Sequence, residues 1–160
     1  MKTVKYPEVW DLDVFFKGGS ESEEFKSFIN SIPAKVDSLR ESVDSLAVPT
    51  SAQDALKIAE VLEKIKDVMA HISHAGGVLS CLTAQDTTDR EALLLQGKLG
   101  AISATTSPVI QKFHKLLTDA DAEVFDALLA TDELSPFSFV MSEWRKQARL
   151  KLSQEEEALI

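Results

Sequence analysis

The sequence lacks the features that several large classes of protein require. It has one cysteine, Cys81, among 160 residues, so no internal disulfide can form, and this suits a reducing compartment. No apolar run approaches the roughly 18 residues that a membrane-spanning helix needs. The opening stretch MKTVKYPEVWDLDVFF has no apolar core of the kind that signal peptides carry. These absences predict a cytoplasmic protein.

Positive charge is also in short supply. The chain carries 17 lysines and arginines against 26 aspartates and glutamates, which gives a formal net charge of −9. No local cluster of basic residues offsets that charge. A nucleic acid or an anionic membrane surface would therefore be repelled, and we expect neither as a partner. With 44% hydrophobic and 27% charged residues, the composition is typical of one globular domain.

The common catalytic motifs are missing too. A zinc peptidase usually carries His-Glu-x-x-His, in which two imidazoles one helical turn apart bind the metal and the glutamate activates water. The nearest stretch is His71-Ile-Ser-His74, which has a shorter spacing and no glutamate. There is no Glu-x-x-His pair of the di-iron type, no Gly-x-Ser-x-Gly elbow and no glycine-rich phosphate loop. We therefore predict no catalytic, metal-binding or cofactor-binding residue in this chain, and its substrate-binding residues stay unknown.

Two groups of side chains allow a metal-binding interpretation. His71 and His74, together with the acidic turn AQDTTDREA at residues 84–92, could form a small-ligand or metal site. Half-buried positions at a helix end are the simpler explanation for the histidines, and helix capping is the simpler explanation for the turn. A second acidic run could hold a cation, although the solvated start of a helix explains it with less. That run comprises Asp119, Asp121, Glu123 and Asp126.

Three other places have a structural and a functional interpretation. Cys81 lies in the apolar stretch VLSCLTA, which favours an inert, packed thiol. His114 is a lone histidine on a predicted helix. The tripeptide Trp144-Arg145-Lys146 could contact a peptide, but a core anchor followed by two cations in the last turn of a helix is the simpler interpretation.

Capping signals and apolar repeats are abundant, and they predict an all-α chain. Four stretches place a serine or threonine three residues before a side chain that can complete a capping box, and apolar residues at helical spacing follow each of them. These stretches are Ser20-x-x-Glu23, Thr50-x-x-Gln53, Thr88-x-x-Glu91 and Thr118-x-x-Asp121. The last two helices are expected at 119–130 and 136–149. Because long helices alternate with short connections, we predict an antiparallel bundle of partly kinked helices.

Prolines and glycines interrupt the long helical patterns. Pro33 predicts a kink or a break, and Pro108 predicts a second kink. Gly76-Gly77 should either end or loosen the helix in which it falls. On the next helix, four small residues have a spacing that suits the close approach of another helix. These are Gly97, Gly100, Ala101 and Ala104.

The chain is expected to divide into three segments. Residues 1–19 form an N-terminal arm, residues 20–152 form the helical bundle, and residues 153–160 begin a further helix at the capping box Ser153-x-x-Glu156. The arm contains five large apolar residues that should dock on the bundle, since leaving them in water would be unfavourable. They are Trp10, Leu12, Val14, Phe15 and Phe16.

Three stretches in order carry a family resemblance. They are WDLDVFFKGGSESEEF at 10–25, AQDTTDREA at 84–92 and ELSPFSFVMSEWRKQARLKLSQEEEALI at 133–160. Together they resemble the N-terminal helical region of oligoendopeptidase F and its relatives, zinc metallopeptidases of the thimet oligopeptidase type. The family's Trp-x-Leu opening, Asp-Thr-Thr-Asp-like turn and Leu-Ser-x-Glu-Glu-Glu helix start match Trp10 to Leu12, Asp86 to Asp89 and Leu152 to Glu157. Between these motifs the resemblance is one of helical pattern only.

The resemblance implies that the chain is a non-catalytic lobe of a larger enzyme. Members of the family are several times longer, and their His-Glu-x-x-His helix lies in the C-terminal part. Zinc is therefore expected in a missing catalytic region, and no metal ligand can be carried over to this chain. The implied partners are the chain's own C-terminal catalytic lobe and short peptides, which the helices would enclose for hydrolysis. Residues 153–160 would begin a truncated helix that leads into that region, and the chain alone should be inactive.

A free-standing helical interaction or regulatory module, without enzymatic activity, is the alternative. The lack of a catalytic motif and the acidic surface favour it, whereas the three ordered stretches and the unfinished last helix oppose it. A lobe of a larger enzyme should expose an apolar patch where the rest of the protein docks. Such a patch could also make the isolated chain dimerise.

Overall fold

The computed structural model describes residues 10–150, and within this range every regular element is helical. The five α-helices are α1 (Glu23–Asp44), α2 (Ala55–Gln85), α3 (Arg90–Thr118), α4 (Ala122–Leu129) and α5 (Ser138–Leu150). Short 3-10 helices lie at Leu12–Val14, Gly19–Glu21, Ala52–Asp54 and Ser135–Phe137. The all-α prediction is confirmed. The predicted helix start at 153–160 lies outside the described residues.

The contacts between residues divide the chain into two compact units. Unit 1 comprises the residues up to Pro33 together with Met69–Ser103, and unit 2 comprises Ala34–Val68 together with the residues from Ala104 onward. The long helices α1, α2 and α3 each contribute a stretch to both units. None of the described helices is both long enough and apolar enough to span a membrane.

Ion pairs and hydrogen bonds show how the helices of unit 1 run. The ammonium group of Lys26 on α1 lies 3.2 Å from the carboxylate of Glu91 on α3. One helical turn further along, Lys98 on α3 donates a hydrogen bond to the side chain of Asn30 on α1. Because the residue numbers rise together on the two helices, α1 and α3 are parallel here.

In unit 2, α1 and α2 are antiparallel, as the sequence predicts for neighbouring helices. Lys35 on α1 pairs with Asp67 on α2 at 2.8 Å. Further along α1, the hydroxyl of Ser42 accepts a hydrogen bond at 2.7 Å from Lys64, which comes earlier on α2. The residue numbers therefore run in opposite directions along the contact.

Apolar side chains at steps of three and four fill the interior of each unit, as the helical periodicity predicts. In unit 1 the residues with almost no exposure include Phe25, Ile29, Ile32, Ala75, Leu79 and Ala92. In unit 2 they include Val36, Leu39, Val43, Ile58, Phe113, Leu128, Leu134 and Met141. Burial of this kind is the main stabilising contribution in an all-helical protein.

The predicted caps are wrong by one to three residues. The hydroxyl of Ser22, and not that of Ser20, accepts from the backbone N–H of Phe25 at 3.4 Å to start α1. A reciprocal capping box joins Ser51 to Asp54, one residue after the predicted Thr50. Several Ser, Thr and Asp residues stand together at each site, and the path of the backbone decides which of them faces the free N–H groups.

The other two helix starts are also shifted. Asp89, and not Thr88, caps α3, because its carboxylate accepts from the backbone N–H of Ala92 at 2.9 Å. Thr118 ends α3, and its hydroxyl donates to the carbonyl oxygen of Lys115 at 3.0 Å. The helix that follows begins only at Ala122, whereas residue 119 was predicted. The last helix starts at Ser138, after a 3-10 turn that contains Pro136.

None of the three predicted interruptions, at Pro33, Gly76-Gly77 and Pro108, ends its helix. Pro33 lies inside α1 and Pro108 lies inside α3. Gly76-Gly77 lies inside α2, which continues to Gln85, so of the two predicted alternatives the helix end is excluded. Both prolines are exposed and have buried apolar residues close by on the same helix. Packing of those apolar residues outweighs the one hydrogen bond that each proline removes.

The N-terminal arm docks less extensively than predicted. Phe16 is buried, with 8% of its surface exposed, and Leu12 is half-buried. In contrast, Trp10 is 76% exposed, Val14 71% and Phe15 51%. The prediction that all five apolar residues dock is therefore wrong for three of them.

Candidate functional site

The C-terminal part of unit 2 contains a surface hollow of about 260 Å³ between α4 and α5. Its walls combine an apolar ring, a small hydroxyl, two cations and one carboxylate. We call it the α4–α5 hollow, and its lining residues are Ala122, Phe125, Asp126, Ser142, Arg145 and Lys146. A hollow with this lining can contact the polar groups of a peptide.

Arg145 holds the two helices of the hollow together. Its guanidinium carbon lies 4.3 Å from the centre of the Phe125 ring, which is close enough for a cation–π interaction. Its Nη2 donates a hydrogen bond to the carbonyl oxygen of Ala120 at 2.7 Å. Ala120 lies just before α4, so this bond also satisfies a backbone group between α3 and α4. From the sequence, Arg145 is expected to be either a helix-end cation or a peptide contact.

Lys146 and Trp144 have different surroundings from Arg145. Lys146 has a side chain that is 70% exposed, and it pairs with Glu143 one turn earlier at 2.7 Å. Trp144 is half-buried, and its ring stacks on the imidazole of His114 with 4.0 Å between centres. Trp144 therefore has the anchoring role that the sequence suggested. The lone histidine of α3 is its stacking partner.

The histidines of α2 belong to an aromatic cluster in unit 1, and not to a helix end. We call it the Phe–His cluster, and its members are Phe15, Phe16, Phe25, Phe28, His71 and His74. The His71 ring stacks on Phe28 with 5.1 Å between centres and an angle of 13°. The His74 ring meets Phe28 and Phe16 edge-on at 5.4 and 5.8 Å. The described contacts of these two histidines are packing contacts with phenylalanine rings.

The acidic turn at 84–92 is built as a helix connection. The carboxylate of Asp86 accepts hydrogen bonds from the hydroxyl of Thr88 at 2.7 Å and from its backbone N–H at 2.8 Å. These two bonds lower the pKa of Asp86 below its ordinary value of 3.8. With Asp89 capping α3, two carboxylates of the turn have structural partners. The turn therefore has the capping role that its residue types indicated.

Lys26 is the centre of an acidic group in unit 1. Its ammonium nitrogen lies 3.0 Å from Glu21, 3.2 Å from Glu91 and 3.8 Å from Glu23. The hydrogen bond to Glu21 raises the pKa of Lys26, and so does the bond to Glu91. The lysine therefore stays charged at neutral pH and bridges the starts of α1 and α3.

The described residues offer little for metal chemistry. Nowhere in residues 10–148 do three or more His, Cys, Asp or Glu side chains come together as a metal site would require. Cys81 is half-buried on α2. The acidic residues between 119 and 126 are exposed, and Asp119 pairs with Lys115 at 2.8 Å.

Comparison with known families points to the C-terminal part of the chain. Residues 117–160 match the family model described as Oligopeptidase F, the N-terminal domain of M3 peptidases. This stretch, 44 of the chain's 160 residues, is similar to the N-terminal domain of oligopeptidase F. The match covers the end of α3 and all of α4 and α5, and its last ten residues lie outside the described range. Neither a curated protein nor a solved structure matches the chain.

The oligopeptidase F match confirms the resemblance that the sequence suggested, and it contains the third of the three motif stretches, residues 133–160. The other two stretches, at 10–25 and 84–92, lie outside it. The α4–α5 hollow falls entirely within the matched segment. The hollow could not be predicted from the sequence, because a pocket depends on the angle and spacing of two helices. The sequence contains both Phe125 and a cation on a later helix, but no pattern in it indicates that the two side chains meet.

Proposed function

We propose that the chain is the N-terminal, non-catalytic helical lobe of an oligoendopeptidase F-like zinc metallopeptidase, which encloses short peptides for hydrolysis. The match of residues 117–160 to the oligopeptidase F N-terminal domain carries this proposal. The parent protein is then a zinc-dependent peptidase with zinc in its C-terminal catalytic region. The chemistry that zinc would supply there is polarisation of the peptide carbonyl and activation of water. The 160-residue chain acts in the cytoplasm as a structural lobe and does not hydrolyse peptides by itself.

The lobe's contribution to the reaction is enclosure. Helices that wall in a peptide restrict its length and remove water from the reacting bond. The α4–α5 hollow supports this role, because Ser142 contributes a hydroxyl to its wall and Lys146 offers an exposed cation at its edge. A cation at that position suits the C-terminal carboxylate of a short peptide.

Exposed apolar residues on α3 support packing against the enzyme's own C-terminal lobe. Leu93 is 49% exposed and Leu94 is 69% exposed. One turn later, a Cβ atom added to Gly97 or Gly100 would meet no atom within 4 Å. A helix from another part of the same protein can closely approach such an exposed strip of leucine and glycine. The same strip could bring two isolated chains together as a dimer.

The proposal is tested with the full-length enzyme and a fluorogenic series of peptides of increasing length. We expect cleavage that depends on zinc and stops above a length limit, and no cleavage by the 160-residue chain alone. In the full-length enzyme, Lys146→Gln should raise KM several-fold for peptides with a free C-terminal carboxylate and change KM little for amidated peptides. Lys66→Gln is the matched control, since Lys66 is similarly exposed and also pairs with a glutamate one turn earlier, on α2.

Two results would contradict the proposal. Zinc-dependent cleavage by the isolated 160 residues would place the catalytic groups in this chain. A full-length protein that binds other proteins, with no peptidase activity at any peptide length, would favour the alternative of a helical interaction or regulatory module. The exposed leucines of α3 are the observation that favours that alternative.

A further inference from the structure

Residues 10–18 are held in place differently from the helices of unit 1. Among the described residues, every hydrogen bond of this stretch ends within residues 11–21. For example, the carboxylate of Asp13 accepts from the backbone N–H of Gly18 at 3.1 Å. Within the described range no ion pair joins the stretch to α1, α2 or α3. The stretch is therefore attached to the helices through apolar contacts.

One side chain supplies most of that attachment. Phe16 is 8% exposed and stacks on Phe25 of α1 with 4.7 Å between ring centres. It also meets Phe28 at 5.7 Å and His74 of α2 at 5.8 Å. Phe15, which is 51% exposed, has one described ring contact, with His74 at 6.4 Å. Phe16 is thus the anchor, and its neighbours contribute little burial.

A pivot follows directly after the anchor. Gly18 has a φ of +90°, which side chains rarely adopt, and a Cβ atom there would meet nothing closer than 3.9 Å. The next residue is different, since a Cβ atom on Gly19 would lie 3.1 Å from a methyl group of Leu82 on α2. Gly19 is therefore packed tightly against the helix, whereas the space around Gly18 is open, and one hydrogen bond spans Gly18, from the backbone N–H of Gly19 to the carbonyl oxygen of Phe16 at 3.0 Å.

The stretch also lines one side of an open surface cavity of about 440 Å³. Residues from both sides line this cavity. The stretch contributes Trp10, Asp11, Leu12 and Asp13, and the facing wall includes Leu82, Gln85 and Asp89. Movement of the stretch about Gly18 would change the volume of the cavity and the access to it.

We propose that residues 10–17 form a flap that opens as a unit about Gly18 when Phe16 leaves its ring contacts. In the closed state the flap forms one wall of the cavity next to the end of α2, and its Phe16 ring packs on Phe25 and Phe28. Opening breaks the hydrogen bond from the Gly19 N–H to the Phe16 carbonyl oxygen and no described hydrogen bond to α1, α2 or α3, so it requires less free energy than unfolding of unit 1. This proposal is independent of the peptidase proposal, because it concerns only contacts within unit 1.

Native-state hydrogen exchange of the 160-residue chain tests the flap. The probe is the backbone N–H of Gly19, which donates to the carbonyl oxygen of Phe16 across the pivot, compared with the N–H groups in the centre of α2. In the unaltered chain, we expect the Gly19 amide to exchange through local opening that low denaturant does not change, while the α2 amides exchange through cooperative unfolding. Phe16→Ala should speed exchange of the Gly19 amide by about tenfold or more and leave protection of α2 intact. Phe15→Ala, the matched control, should change exchange of the Gly19 amide by less than about twofold.

Three outcomes would overturn the proposal. Equal protection of the flap and α2 in the unaltered chain, lost together in denaturant, would make the arm part of the cooperative core. Loss of α2 protection in Phe16→Ala would make Phe16 a core residue of unit 1. Equal effects of Phe15→Ala and Phe16→Ala would remove the single anchor.

Discussion

The N-terminal arm and the α4–α5 pair both lie at the side of longer helices, but they are attached in different ways. In the arm, Phe16 is buried and three of its large apolar neighbours are exposed. In the α4–α5 pair, Phe125, Leu128, Leu134 and Met141 have between 0 and 3% of their surface exposed. Arg145 adds a cation–π contact and a hydrogen bond to the carbonyl oxygen of Ala120. One region depends on a single side chain, and the other on several that cooperate.

This difference matters because the family match falls on the firmly attached region. The α4–α5 pair contains the hollow that we propose contacts peptides, and such a site has to hold its shape while a peptide binds. The arm has no such requirement, so a weaker attachment is compatible with movement. Apolar content alone does not distinguish the two regions, since the arm is as rich in aromatic residues as the pair.

The largest expected effect comes from removing an anchor of the α4–α5 pair. Leu128 is completely buried, and Leu128→Ala should lower the free energy of unfolding by about 2–5 kcal/mol because it removes packed methyl groups and leaves a cavity. Phe139→Ala on α5 is the control, since Phe139 is 79% exposed and should change stability by no more than about 0.5 kcal/mol. Urea unfolding of both variants measures this. Similar losses in the two variants would show that the pair does not depend on its buried anchors.

Arg145 should have an intermediate effect. Arg145→Met keeps much of the apolar stem but removes the cation over Phe125 and the hydrogen bond to Ala120, so we expect a loss of about 1–2 kcal/mol. Lys146→Met, one residue later, removes an exposed cation with an ion pair one turn away and should cost about 0.5 kcal/mol or less. Thermal unfolding of the two variants makes the comparison. Equal stability of both would mean that the guanidinium contributes nothing to the attachment of α4.

The capping box before α2 supports the same region from the other side, because the 3-10 helix Ala52–Asp54 packs against α4. Ser51→Ala removes the side chain that accepts from the backbone N–H of Gln53 and should lower the free energy of unfolding by about 1 kcal/mol. Thr50→Ala, the cap that the sequence favoured, should have little effect. A larger loss in Thr50→Ala than in Ser51→Ala would restore the sequence-based assignment.

The smallest expected effect lies in unit 1 and depends on pH. The hydrogen bonds from Thr88 lower the pKa of Asp86, so its folded-state value lies below the ordinary value of 3.8. The stabilisation is therefore full above pH 3.8 and disappears as the pH falls through the lower folded value. Asp86→Asn should show a stability difference from the unaltered chain that shrinks on acidification. Glu24→Gln controls for the loss of one exposed negative charge, and an Asp86→Asn difference that stays constant down to the lowest pH would contradict the assignment.

The sequence predicts the helices better than their ends. Periodic apolar residues such as Ile29, Leu39 and Val68 are buried as expected, because a helical stripe has to face the interior. The caps are harder to predict, since Ser20 and Ser22, or Thr50 and Ser51, have similar chemistry and differ only in where the backbone points them. Pro33 predicts a kink or a break and Pro108 a kink; both prolines lie inside continuous helices, because buried residues near each of them outweigh one missing hydrogen bond.

The candidate site could be predicted only in part. The motif stretch 133–160 led to the oligopeptidase F resemblance, which the match over 117–160 confirms. The hollow itself depends on contacts between α4 and α5, such as the 4.3 Å approach of Arg145 to Phe125, and these are tertiary. For the same reason, the ring stacking of His114 with Trp144 and of His71 with Phe28 could not be seen in a sequence without knowing which helices meet.

The sequence of the gene beyond the codon for Ile160 decides between the proposed non-catalytic lobe of a zinc peptidase and the helical interaction module. If the chain is such a lobe, the reading frame continues and encodes a His-Glu-x-x-His helix and a further downstream glutamate. A stop codon directly after Ile160, or a continuation without such a helix, would contradict it, and the helical interaction module would then be the better explanation.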